Sequence, residues 1–112
     1  MPKYLIEASY SNEGVSGVTD KGATARRNEI EHFIAASGGK LESFYFAFGD
    51  VDVYLICDLP SNEVAAALAV SVKESGYTAS FKTVVLLTPE ELDAAAKIVP
   101  LYRPPGAFRP DA

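Results

Sequence analysis

One cysteine and one histidine are all that this 112-residue chain offers as thiolate or imidazole metal ligands. A lone Cys57 excludes an internal disulfide and any cysteine-cluster metal site, and its place in mid-strand marks it as a buried structural thiol. His32, by helical arithmetic, projects from the side opposite Ile30, which suits a solvated residue better than a ligand or a general base. Haem and metal chemistry are disfavoured on both counts, so no cofactor is expected. No apolar run reaches the ~18 residues that a membrane-spanning helix needs. No basic segment with an apolar core precedes the first strand, and the expected location is the cytoplasm. Basic residues are also scarce: 10 Lys and Arg stand against 15 Asp and Glu, for a net charge of −5. They are scattered, so the electrostatic footprint for a phosphate backbone is missing and nucleic acid is not an expected partner.

What the chain does have is apolar material, 48% of its residues, enough for one domain with a real core. The organising stretch is 39–59, GKLESFYFAFGDVDVYLICDL, read as two strands folded back through Gly49-Asp50. On the first strand Leu41, Ser43, Tyr45 and Ala47 would share one face and Glu42, Phe44, Phe46 and Phe48 the other. The return strand, beginning at Val51, sets Val53, Leu55 and Cys57 against Asp52, Tyr54, Ile56 and Asp58. Neither face is polar. An antiparallel hairpin with one wet face would alternate cleanly, so both faces are expected to be covered, one by helices and one by a second subunit.

Around the hairpin, residues 3–10 read as a strand whose face bearing Lys3, Leu5, Glu7 and Ser9 is the wetter one. Residues 11–22 suggest a short, irregular helical segment. From 23 to 37 a firmer helix puts Ile30, Phe33, Ile34 and Ser37 on one face with Arg26 and Arg27 beside it, and Gly38-Gly39 ends it. Residues 60–75 form the next helix and 77–87 the last strand. Thr88-Pro89-Glu90-Glu91 is a capping box with proline at the first helical position, opening a helix to about Val99. The expected domain covers 1–98. A proline-rich tail over 99–112 should be extended, and either it is disordered or Leu101, Tyr102 and Phe108 anchor it along a neighbouring surface.

The succession strand, helix, strand, strand, helix, strand, helix predicts an α+β fold, a ferredoxin-like βαββαβ with an antiparallel sheet and an extra C-terminal helix. Helices on one face leave the other bare, and a two-fold homodimer through the sheet face is the simplest cover.

Several short motifs occur in an order that resembles the GYD-domain family over most of 1–98: Tyr4-Leu5-Ile6 with Ala8 and Tyr10, Glu13-Gly14-Val15, Ala25-Arg26-Arg27, Gly38-Gly39-Lys40-Leu41, Tyr45, Phe48-Gly49-Asp50 with Asp52-Val53, and Gly76. The signature Gly-Tyr-Asp departs at its middle position, where Val51 stands between Gly49 and Asp52, with Tyr54 two residues beyond Asp52. The resemblance implies a dimeric α+β barrel and no settled activity.

The chemistry reads more than one way. Arg26 and Arg27 either fork onto an anion or carboxylate, or reach the surface and pair with Glu29, Glu31 or Asp20. Asp50 fits turn chemistry beside glycine. Asp52 is either a turn residue, a base with a raised pKa among aromatics, or the partner of an arginine across the core. One functional reading is a small-molecule-binding or regulatory homodimer. Its pocket, under the first helix, would be lined by Arg26, Arg27, Tyr4, Phe44 or Tyr45, and Tyr54, for a small anionic or aromatic ligand. A second is a cofactor-independent oxygenase or isomerase with Asp52 and Tyr54 as catalytic groups. A third, if no cavity opens under the helix, is an assembly module.

Overall fold

Alternation along the first strand decides which side the helices cover. In a computed structural model, which describes residues 1–106, Tyr4, Ile6 and Ala8 of β1 (Lys3–Tyr10) are buried while Lys3, Leu5 and Glu7 between them are half-buried. β3 (Val53–Asp58) repeats this with Val53, Leu55 and Cys57 inside. The sheet is antiparallel in the order β2-β3-β1-β4, with β2 at Lys40–Phe46 and β4 at Thr78–Leu86. α2 (Ala23–Ala36) and α3 (Asn62–Glu74) close the core over one face through Ile34, Ala65 and Leu68. This is the expected ferredoxin-like α+β arrangement, and α4 (Pro89–Ala96) is the extra C-terminal helix.

Three local expectations need correcting. Residues 11–22 are not irregular. α1 is a regular helix over Asn12–Lys21, opened by Ser11, whose hydroxyl accepts from the Gly14 N–H, and closed by Gly22, whose N–H donates to the Val18 carbonyl. Capping at both ends overcomes the low helix propensity of its Gly and Thr.

The hairpin is wider than a two-residue turn at Gly49-Asp50. β2 stops at Phe46 and β3 starts at Val53. The reason is Asp52, which is held by the central strand. Its N–H donates to the Ala8 carbonyl at 3.0 Å, and its carboxylate accepts from the Tyr10 N–H at 2.9 Å, while its own carbonyl accepts from Ala47 N–H at 2.8 Å. Phe48 is left fully exposed on the loop.

The faces of β2 also differ from simple alternation. Leu41 lies opposite Cys57 and Ser43 opposite Ile56, so Glu42 is an extra, unpaired residue. Such a bulge flips the alternation by one. Leu41 therefore shares the helix side with Phe44 and Phe46, whose rings meet edge to face with centroids 5.2 Å apart. The displaced Glu42 carboxylate accepts from Lys3 Nζ at 2.8 Å, and Asp58 lies 3.0 Å from the same nitrogen. Those two hydrogen bonds, Glu42's first, hold the Lys3 ammonium above its ordinary value.

Cys57 is wholly buried. Burial, reinforced by the neighbouring Asp58 carboxylate, pushes its thiol from 9.0 up to about 11. The folded state thus keeps a proton that the unfolded chain releases first. Stability from this site is complete below about pH 9 and is lost as pH rises toward 11, by about 3 kcal/mol in all. Urea unfolding at stepped pH should show that fall, and Cys57→Ala should flatten it. An unchanged slope in the variant would assign the fall to other groups.

At the C-terminal end α4 stops at Ala96, before the expected Val99. Leu101 and Tyr102 are exposed, so neither anchors the tail on this chain's own body. Phe108 lies outside the described residues. Among the described residues no helix is long and apolar enough to cross a membrane.

Candidate functional site

A cavity of about 540 Å³ opens between α1, α2 and α3 at the end of the sheet. Tyr10 and Tyr77 close its strand end, Val18 and Lys21 face it from α1, and Arg26 and Phe33 from α2. A second space of about 40 Å³, lined by Ile6, Phe44, Leu55 and Phe81 among others, continues toward the core. Tyr10, Arg26, Ile30, Phe33 and Val72 border both. The wider cavity therefore has a polar rim and an apolar floor, with Arg26 at the junction.

The α2 side of this wall is one helical stripe. Arg26, Glu29, Ile30 and Phe33 stand at spacings of three, four and seven, which places them on one face. Arg26 Nε is buried and has no hydrogen-bond partner. Its Nη1 lies 3.5 Å from Glu29 Oε2, and Lys21 Nζ lies 3.9 Å from Glu29 Oε1. Two cations and one carboxylate thus meet at the rim, leaving a surplus positive charge and one guanidinium N–H without an acceptor.

The other expected residues are dispersed. Arg27 turns to Glu31, one helical turn on, at 3.4 Å. Tyr4 is buried, and its hydroxyl donates to Asn62 Oδ1 at 2.6 Å; desolvation keeps that phenol above its ordinary value. Phe44 lines the inner space beside Arg26. Tyr45 and Tyr54 are paired with each other across β2 and β3 on the face away from the helices, so the sheet separates them from Arg26. Asp52 is tied to the Tyr10 backbone N–H, while Arg26 pairs with Glu29 and Arg27 with Glu31, so neither arginine is paired with it. His32 is exposed on α2. Among the described residues no group of three or more His, Cys, Asp or Glu is placed to hold a metal ion.

Sequence reasoning passed over Tyr10, Lys21 and Tyr77, and named Glu29 only as an ion-pair partner of the arginines, a pairing that Arg26 makes. The stripe from Arg26 to Phe33 was a usable signal for Glu29, and it also separates Arg26 from Arg27. Tyr10 and Tyr77 come together only because β1 and β4 pair.

A protein-family model for the GYD domain matches residues 4–96. The chain belongs to the GYD-domain family. The match runs from the second residue of β1 to the last residue of α4, so it spans the four strands and four helices of the described residues. No match was found among curated proteins or among solved structures.

Proposed function

We propose that this GYD domain is a small-molecule-binding homodimer whose ligand is an anion with an apolar or aromatic body, held by Arg26 in the cavity between α1, α2 and α3. The observation that carries this reading is Arg26 Nε, buried at the junction of a polar rim and an apolar floor with no acceptor. A buried donor without a partner carries a desolvation cost of about 1–3 kcal/mol, more for a charged group, and a ligand carboxylate reaching it would remove that cost. The floor, bordered by Ile30, Phe33 and Val72, suits the rest of such a molecule. The opening of α2 favours the same charge, since Gly22 supplies no side-chain cap and no acidic residue stands in the first turn.

The homodimer part of the proposal rests on the face opposite the helices. Leu5, Tyr54, Ile56, Val84 and Leu86 are half-buried there, among the Lys3 and Lys82 ion pairs, and among the described residues no helix covers them. The enzyme reading has less support, because the Asp52 carboxylate is committed to the Tyr10 N–H and Tyr54 stands across the sheet from the cavity. The cavity itself weighs against an assembly module alone.

Benzoate and phenylacetate are suitable probes, with neutral benzamide as the control. At ten times its Kd, a bound carboxylate should raise the melting temperature by about 6 °C. Arg26→Ala should remove the rise while Arg27→Ala keeps it. A rise that survives in Arg26→Ala, or one that benzamide gives equally, would reject the proposed site.

A further inference from the structure

The described chain beyond β4 behaves unlike the rest. Every residue from 87 to 106 is exposed, and six of them are large and apolar: Leu87, Leu92, Ile98, Val99, Leu101 and Tyr102, at 59–84% of full exposure. The molecule is 66 Å long but only 28 by 24 Å across. α4 is nonetheless well specified, with Pro89 at its start and a complete Thr88–Glu91 capping box, the Thr88 N–H donating to Glu91 Oε1 at 2.9 Å and the Glu91 N–H to Thr88 Oγ1 at 3.1 Å. An isolated helix shorter than ~12 residues is marginal in water whatever its caps. This one has eight residues and no buried side chain in its own chain. Its start is encoded, while the surface that would stabilise it is missing from the single copy.

We propose that residues 87–106 form an arm that seats on a second copy of this chain, completing the dimer whose centre is the open sheet face. The inference rests on the homodimer reading above and adds the element that makes it stable. Area favours a second copy as the occupant. Four strands ~4.8 Å apart, with residues rising ~3.3 Å each, give the open face a footprint of roughly 450–500 Å². A stable dimer removes about 800 Å² per partner. Six large apolar side chains on the arm would add on the order of 500 Å², which closes the gap. In a two-fold pair each copy gives one arm and receives one, so the gain is made twice. Continuity favours the same partner. Leu86 lies on the open face opposite Lys3, and the next residue begins the arm, so the arm leaves from the border of the surface that a second copy would cover.

The test uses the full chain with Leu92→Asp and Ile98→Asp together, and separately Ile56→Asp on the sheet face, each followed by sedimentation over a dilution series. Leu92 and Ile98 are exposed, so circular dichroism of the double variant should match that of the wild type once each has been diluted to monomer. The proposal expects a wild-type dimer whose dissociation constant rises about 100-fold or more in the arm variant. If Ile56→Asp splits the dimer but the arm variant dissociates like the wild type, the homodimer reading stands and the arm is rejected. If the arm variant splits it and Ile56→Asp does not, the arm stands and the sheet face loses its central role. A wild-type monomer throughout the series would overturn both.

Discussion

Replacing Gly14 with alanine should lower the stability of this domain by about 3 kcal/mol, although it adds only a single carbon atom. Gly14 is in the first turn of α1, on a helix start stitched to the loop before β4. Ser11 N–H donates to the Tyr77 carbonyl at 3.1 Å, and Ser11 Oγ donates to the Gly76 carbonyl at 2.9 Å. That stitching presses the helix against the loop. A Cβ on Gly14 would run into the Tyr77 carbonyl oxygen and lie 3.0 Å from Tyr10 Cδ1. The first obstacle is backbone and cannot swing aside. Alanine gains about 1 kcal/mol over glycine in helix propensity, so the net loss measures how far α1 must move to clear the carbonyl. Because Gly14 also lines the cavity, the displacement should weaken the benzoate response as well. Urea unfolding settles the stability; a loss below about 1 kcal/mol would show that the α1–β4 junction yields easily.

A loss of about 3–4 kcal/mol is expected for Ile34→Ala. Ile34 is 1% exposed and is the only buried residue of α2. It is therefore the main attachment of the helix that carries Arg26. Truncation removes its transfer free energy and leaves a void. The void would adjoin the inner space that Ile34 already lines, which leaves little prospect of collapse around it. Ile34→Val should cost only about 1 kcal/mol. Denaturation midpoints should shift in that ratio with an unchanged m-value. Near-equal losses for the two variants would mean that α2 is held mainly by Ile30 and Phe33, its half-buried neighbours on the core.

These two sites differ in how far the sequence revealed them. Ile34 followed from helical periodicity, since Ile30, Phe33, Ile34 and Ser37 all lie on the inner side of α2. Gly14 could not be distinguished from Gly17, which has open space around it. The difference lies in Tyr77, a residue distant in sequence whose carbonyl meets one glycine and not the other.

The same contrast runs through the molecule. Apart from α1, the order of elements, strand and helix type, the Thr88 cap and the glycine closure of α2 were legible because each depends on a two- or four-residue period, or on hydrogen bonds within one turn. The family followed from short motifs in order. The bulge at Glu42 was invisible, because an extra residue is defined only against a partner strand, and it moved Leu41 from the face of Tyr45 to that of Phe44. Asp52 looked equally suited to a turn or a catalytic site until β1 supplied the Ala8 carbonyl and Tyr10 N–H that hold it.

By itself, then, the sequence determined an α+β domain of the GYD family with two arginines near the inner face of one helix. Only the tertiary structure chose between those arginines, giving Arg27 to Glu31 and leaving Arg26 Nε buried beside a cavity. It also set residues 87–106 outside the body. The physical reason is range: helical phase and capping are settled among neighbours along the chain, whereas register, cavities and uncovered surfaces arise from contacts between segments that meet only when the whole chain has folded.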